Sequence, residues 1–327
     1  MKKIIAFAAI VLSLLAVSCN KQNDTKANVD LTEVNALLSE CKTLLQNAST
    51  DSWSQKAIDD FKGVIETVEK AIPAATTQAA VDNLAAQLKT AKEAFLAAEI
   101  GAIPADALAW ALNFEEGTGT ELKTSGKYEW TVKLLPGEEG APKFVEGHKA
   151  GSKGLQFGYG AYGEFQDAVA SVLESQTFSI ACWINTAIYE NNYILSWNKW
   201  DTWKFQTQST NKAFLTVHFG DVYIDHDGNT EIPENEWHHV VATLDLAQGV
   251  MAFYLDGELT IKWDKENESR LEGSHTLAPA PDGTKLLLGL QEPDSETGFY
   301  TGKLDDLAFY TIALDGGQVA KLFNDQK

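Results

Sequence analysis

The stretch that most narrows the available folds is residues 236–257, EWHHVVATLDLAQGVMAFYLDG. His238, Val240, Ala242 and Leu244 fall on one side of a two-residue alternation, and Trp237, His239, Val241 and Thr243 on the other. Met251, Phe253 and Leu255 alternate in the same way with Ala252, Tyr254 and Asp256. A period of two sends successive side chains to opposite faces of a sheet, so both runs read as strands. Gln248-Gly249 supplies the turn between them, and Asp256-Gly257 opens a second hairpin into residues 259–263. Three consecutive antiparallel strands this apolar must pack on a second sheet.

Three further stretches follow in order: residues 112–119 (LNFEEGTG), 178–184 (FSIACWI) and 302–310 (GKLDDLAFY), closed by Ala313-Leu314. With WHHVVATLD and YLDG, they resemble the laminin-G-like, concanavalin A-type jelly roll. The resemblance runs from residue 106 to the C terminus and implies an antiparallel β-sandwich over residues 108–327. Its inner rows are expected to be Phe178, Ile180, Cys182 and Ile184; Leu215, Val217 and Phe219; Leu286, Leu288 and Leu290; and Leu304, Leu307 and Phe309. Asp305-Asp306 is expected to interrupt the alternation of the last row. This fold hosts lectins, glycosidases, adhesion modules and spacers, so it leaves the ligand open.

Residues 30–100 follow a helical period instead. Val34, Leu37, Leu38, Cys41, Leu44 and Leu45 form one stripe. Ala57, Phe61, Val64, Ile65, Val68 and Ile72 form a second, and Val81, Leu84, Leu88, Ala91 and Phe95 a third. Asp30-x-x-Glu33 and Ser52-x-x-Gln55 read as capping boxes, and Pro73 ends the second helix. Short connections imply an up-down-up three-helix bundle, followed by a linker over residues 101–107 in which Pro104 bars helix continuation. The bundle resembles the FIVAR-type modules that recur as spacers in bacterial surface proteins. The expected fold class is therefore a three-helix bundle followed by an all-β sandwich.

Residues 1–18 read as a signal peptide: Lys2 and Lys3 precede an apolar run too short to anchor in a bilayer. The run ends in Leu-Ala-Val-Ser-Cys19, which resembles a bacterial lipobox and implies lipidation of Cys19. Residues 19–29 are a polar tether, and Asn20 carries no inner-membrane retention signal of the aspartate kind. The expectation is an outer-membrane lipoprotein at the cell surface. Cys41 and Cys182 read as buried free thiols in different domains. Losing Lys2 and Lys3 takes the formal charge from -20 to -22, which repels nucleic acid and anionic headgroups.

No Glu-x-Asp-x-Glu run is present, and the adjacent acids Glu115-Glu116, Glu138-Glu139 and Asp305-Asp306 face opposite ways within a regular strand. The sequence therefore reads as a binding protein, not an enzyme. The resemblance implies a structural calcium held by Glu115, Glu116 and Asp306, completed by backbone carbonyls. The densest aromatic stretch is residues 189–203, YENNYILSWNKWDTW. Trp197 ends one strand and Trp203 begins the next, leaving Trp200 at the turn among Asn198, Lys199 and Asp201. Aromatic faces pack on the C–H faces of sugar rings while amides and carboxylates take the hydroxyls. Tyr193 is expected at the entrance, and Trp183 and Tyr254, projecting away from their apolar rows, are expected to join the same surface.

The chain thus resembles the surface glycan-binding lipoproteins that work beside polysaccharide uptake systems. Its expected partners are a glycan, the membrane through Cys19, and proteins of the uptake system. Two other readings stay open: a hydrolase with two facing carboxylates, and an adhesion or scaffold module binding a protein through the Trp200 loop.

Overall fold

The computed structural model describes residues 29–50, 52–187, 191–198 and 200–327; the leader, Cys19 and Lys199 lie outside the described residues. The chain divides into two compact units. One ends at Phe95 and holds α1 (Thr32–Asn47), α2 (Gln55–Ala71) and nearly all of α3 (Gln78–Ala97). Its core takes Val34 and Cys41 from α1, Phe61, Ile65 and Val68 from α2, and Val81, Ala85, Leu88 and Phe95 from α3. All but Ala85 belong to the expected stripes, and Phe61 stacks on Phe95 at 4.4 Å. Pro73 lies in a 3-10 turn, Ile72–Ala74, directly after α2.

Neither expected capping box forms. The N-cap of α1 is Leu31, one residue late for Asp30 to pair with Glu33, and Asp30 Oδ1 instead accepts the Thr32 N–H at 2.9 Å. Helix α2 starts at Gln55, the residue a box would need at its third position.

The second unit runs from Leu96 to Lys327 and takes in Ser49–Ser54. Its first strands are β1 (Leu108–Leu112), β2 (Glu121–Lys123), β3 (Thr131–Leu135), β4 (Lys143–Glu146), β5 (Lys153–Phe157) and β6 (Tyr162–Phe165). After a helical turn, α4 (Ala170–Leu173), come β7 (Thr177–Asn185), β8 (Asn192–Trp197), β9 (Trp203–Thr207), β10 (Ala213–Phe219) and β11 (Val222–Asp227). The hairpins β12 (His238–Asp245), β13 (Val250–Leu255) and β14 (Glu258–Trp263) precede β15 (Leu286–Leu288), β16 (Gly302–Tyr310) and a terminal helix, α5 (Gly316–Gln326).

The first sheet runs β14-β13-β12-β7-β16-β5-β4 with β1 also on β16; the second runs β11-β10-β9-β8-β15-β6-β3-β2. Pairing is antiparallel throughout, as in β12 with β7 and β8 with β9. One core fills the space between the sheets. Phe178, Ile180, Cys182, Ile184, Val240, Ala242 and Leu244 enter it from the first sheet, and Trp197, Trp203, Phe205, Leu215, Val217, Leu286 and Leu288 from the second. In β16 the register slips between Asp305 and Ala308, with Asp306 at φ 44°, so Leu304 and Leu307 both reach this core. Cys41 and Cys182 are free and buried.

The two outer faces differ. That of the first sheet carries Ala181, Val241, Ala252, Tyr254, Ala308 and Tyr310, and α5 covers it through Val319 and Leu322. That of the second sheet carries a row in strand register that is polar except at Leu287: Asp225, Thr216, Lys204, Ser196, Leu287, Glu164, Lys133 and Glu121.

Candidate functional site

Four adjacent strands of the second sheet raise Tyr193, Lys204, Phe214 and Asp225 from this outer face. They alternate with core residues, which is why they point outward: Lys204 stands between Trp203 and Phe205, and Phe214 precedes Leu215. With Asn191, Trp200, Gln208, Gln291 and Thr297 they line a hollow of about 330 Å³. Trp200, carried on the turn between β8 and β9, is 46% exposed.

Lys204 is only 3% exposed, and its ammonium lies among rings. Nζ is 4.2 Å from the centre of Trp200, 5.2 Å from Tyr193 and 6.0 Å from Phe214. It also donates to the Tyr193 hydroxyl at 3.4 Å. Ring faces offer the cation the negative side of their quadrupoles, so Lys204 holds the aromatic walls in place. Burial, helped by the charges of Glu292 and Asp225, pushes the Tyr193 phenol well above its ordinary pKa, so it stays a hydroxyl donor. Thr216 Oγ1 donates to Asp225 Oδ1 and fixes that carboxylate. Gln206, in register with Tyr193 and Phe214, has a buried Oε1 without a hydrogen-bond partner. The hollow thus combines an exposed indole face with fixed donors and acceptors, the makings of a site for a polar ligand with one apolar face. Among the described residues Asp225 is the one carboxylate lining it.

Trp200 and Tyr193 lie where the sequence predicts. The other expected ligand residues disperse. Asn198 lines a neighbouring hollow. Asp201 stays in the turn, where its carbonyl accepts from His218 Nδ1 at 3.0 Å. Trp197 and Trp203 point into the core; their indole N–H groups go to Glu174 Oε1 and the Leu173 carbonyl. Trp183 and Tyr254 do project away from the core, but from the first sheet, where α5 packs over them. Lys204, Phe214, Asp225, Gln208, Gln291 and Thr297 were missed. The signal for Phe214 was its alternation with Leu215 and Val217, which marks a side but not what stands on it.

The acids expected to hold calcium do not converge. Glu115 Oε1 accepts the Lys153 N–H at 2.9 Å, and Glu116 Oε1 accepts the Lys123 N–H at 3.3 Å. Asp306 groups instead with His148 and Asp305, their ligating atoms within 4.8 Å of one another. His148 Nε2 donates to the Gln326 carbonyl at 2.8 Å, and Nδ1 meets Asp305 Oδ2 at 2.7 Å. Asp305 also accepts the backbone N–H groups of His148 and Asp306, at 3.0 and 2.8 Å. A carbonyl only accepts, so Nε2 carries a proton, and a second proton on Nδ1 would make the ring an imidazolium. Burial opposes that charge, but the bonds to Asp305 and Gln326 prevail and raise its pKa. Burial, then the Asp305 charge, raises the Asp306 pKa. Asp305 is already taken up by His148 and backbone N–H groups, and a ring nitrogen stands where calcium requires oxygen, so the residues do not fit calcium.

A model of the concanavalin A-like lectin/glucanases superfamily matches residues 157–320. Among curated proteins, none matches the sequence. Among solved structures, the chain is similar to domain 4 of AbnA, a GH43 extracellular arabinanase from Geobacillus stearothermophilus, in complex with arabinotriose. That likeness has 16% identity and a TM-score of 0.50 over 66% of this chain and 97% of that one. The binding domain of Paraclostridial Mosquitocidal Protein 1 is similar at 17% identity and a TM-score of 0.52, over 68% of this chain and 53% of that one. The binding domain of botulinum neurotoxin serotype D/C gives 17% and 0.49, again over 68% and 53%. The chain thus spans about half the length of the two toxin domains, and at these identities the likeness is one of fold.

Proposed function

The chain belongs to the concanavalin A-like lectin/glucanase superfamily, and from that premise we propose that the hollow beside Trp200 captures a carbohydrate without cleaving it. One observation carries this reading: a half-exposed indole stands over a hollow whose other walls are fixed polar groups. Trp200 offers its face to a sugar ring, and Asp225, Gln208, Gln291 and Asn191 take hydroxyls. Lys204 and Tyr193 hold the wall in shape before the ligand arrives, which lowers the ordering cost of binding. A hydrolase working through two carboxylates needs a second acid across the bond from the first. Asp225 is the one carboxylate among the described residues lining this hollow, while Asp282 and Glu292 line the neighbouring one, so capture is the first reading and cleavage the second.

The protein works at the cell envelope. The lipobox-like Leu-Ala-Val-Ser-Cys19 supports lipidation at Cys19 and an outer-membrane anchor, and residues 30–100 serve as a FIVAR-like spacer behind the binding domain. No helix among the described residues is long and apolar enough to cross a membrane. Tethered copies on one surface add avidity to a weak single site, as suits a partner of a glycan-uptake system. Domain 4 of AbnA was captured with arabinotriose, so arabinan oligosaccharides belong in the first ligand panel.

The test is a glycan array probed with the full-length protein and with Trp200→Ala. The wild type binds a defined glycan set and the variant loses it at an unchanged Tm. A blank wild-type array overturns the reading, and release of shortened sugar from a bound glycan replaces capture with hydrolysis.

A further inference from the structure

A second hollow, of about 280 Å³, lies beside the first. Asn198, Asp282, Thr284, Leu287, Gln291 and Glu292 are among its walls. Gln291 belongs to both hollows, and the β8–β9 turn gives one side chain to each: Asn198 to the second, Trp200 to the first. The divider is built firmly. Ser196 Oγ donates to the Gln291 carbonyl at 2.6 Å, and the Gln291 N–H donates to the Gly298 carbonyl at 3.1 Å. Its side-chain amide donates to Ser295 Oγ and, at 3.4 Å, to Thr297 Oγ1. Gly298 makes room for it, since a Cβ there would come within 2.6 Å of Gln291 Cδ. In the turn, Asn198 has φ 50° and its carbonyl accepts the N–H groups of Asp201 and Thr202 at 3.0 and 3.1 Å.

The floors of the two hollows are in register. Leu287 pairs with Ser196, and Ser196 with Lys204, so Leu287 and Lys204 stand two strands apart on one face. At the usual strand spacing that is roughly 10 Å, wider than one sugar ring. The second hollow offers two carboxylates, two amides, a hydroxyl and the Lys285 ammonium over an apolar floor. Lys285 also pairs with Glu164 at 3.5 Å, so the carboxylates prevail, which suits hydroxyl hydrogens and disfavours an anionic ligand.

Resting on the carbohydrate reading above, we infer that the second hollow is a further sugar subsite, so that the ligand is a neutral linear oligosaccharide of more than one ring lying across Gln291.

The experiment is calorimetric titration of the full-length protein with linear arabino-, xylo- and cello-oligosaccharides of increasing length, and with oligogalacturonate as the anionic counterpart. Affinity in one neutral series is expected to rise about tenfold or more from the monosaccharide to the trisaccharide and then level off, with oligogalacturonate unbound. Asp282→Trp and Pro293→Trp, both at exposed lining positions, each remove that rise and leave the monosaccharide affinity unchanged. Trp200→Ala weakens every length. A wild type that binds mono- and trisaccharide equally overturns the second subsite and leaves the carbohydrate reading standing, as does a rise that survives both variants. Tighter binding of oligogalacturonate than of the neutral chains overturns the assigned ligand class. A wild type silent toward every series overturns both.

Discussion

His148 and His239 flank Trp183, at ring distances of 4.3 and 5.3 Å, and their pKa values move in opposite directions. For His148 the bonds to Asp305 and the Gln326 carbonyl outweigh burial and raise the pKa. His239 has neither ring nitrogen bonded; burial first, then the charge of His148, lowers its pKa to about 3. The signs follow from linkage. His148, with a raised pKa, contributes stability that is whole below its unfolded value of 6.5 and is lost as pH climbs through the folded value. His239, with a lowered pKa, contributes stability that is whole above 6.5 and is lost as pH falls toward about 3. Denaturant titrations across pH should therefore show an alkaline limb that His148→Gln removes and an acid limb that His239→Leu removes; limbs that persist unchanged in those variants would refute the assignment. The tryptophans separate just as sharply. Trp203→Ala should cost about 3–5 kcal/mol, because it empties a fully buried site. Trp200→Ala should stay within about 0.5 kcal/mol, being a partly exposed turn residue. Equal losses would place both rings in the same kind of environment. Calcium should leave the Tm unmoved, since Glu115 and Glu116 are held by separate backbone amides; a rise on adding calcium, reversed by chelator, would contradict this.

At the scale of elements, α5 decides which face of the sandwich stays open. It begins with a full capping box, in which Asp315 and Gln318 satisfy one another's backbone N–H groups. The pattern Asp-x-x-Gln was legible in the chain, but Gly316 and Gly317, poor helix formers, fill its first two helical positions and mask the start. The boxes that were read, at Asp30 and Ser52, failed because the helices begin out of register with them. Helix α5 seals an apolar sheet face through Val319, which is fully buried. Val319→Asp should therefore cost about 3 kcal/mol or more, since an unpaired charge would replace a core methyl pair. Chemical denaturation measures it, and a wild-type midpoint would mean that α5 contributes little to holding that face. The strands themselves were well marked: the inner rows of β7, β10 and β12 appear where alternation places them, and the slip in β16 occurs at Asp305-Asp306.

For the molecule as a whole, a two-unit chain of charge -20 built on helices and a concanavalin A-like sandwich disfavours nucleic acid. Its division and its fold class could be read in advance because the hydrophobic period, 3.6 or 2, is a local property that every short window of chain repeats. Alternation also sorted core from non-core residues within each strand. It did not say which sheet a strand would join, nor what would cover the outward side. Trp183 and Trp200 both avoid the core, yet α5 packs over one and the other overlooks a hollow whose walls come from residues 191 to 297. The amino-acid sequence by itself determined strands, helices and the buried rows. Only the tertiary structure decided the site, because a hollow is made of side chains distant in the chain that meet where strand order brings them together and no helix fills the space between.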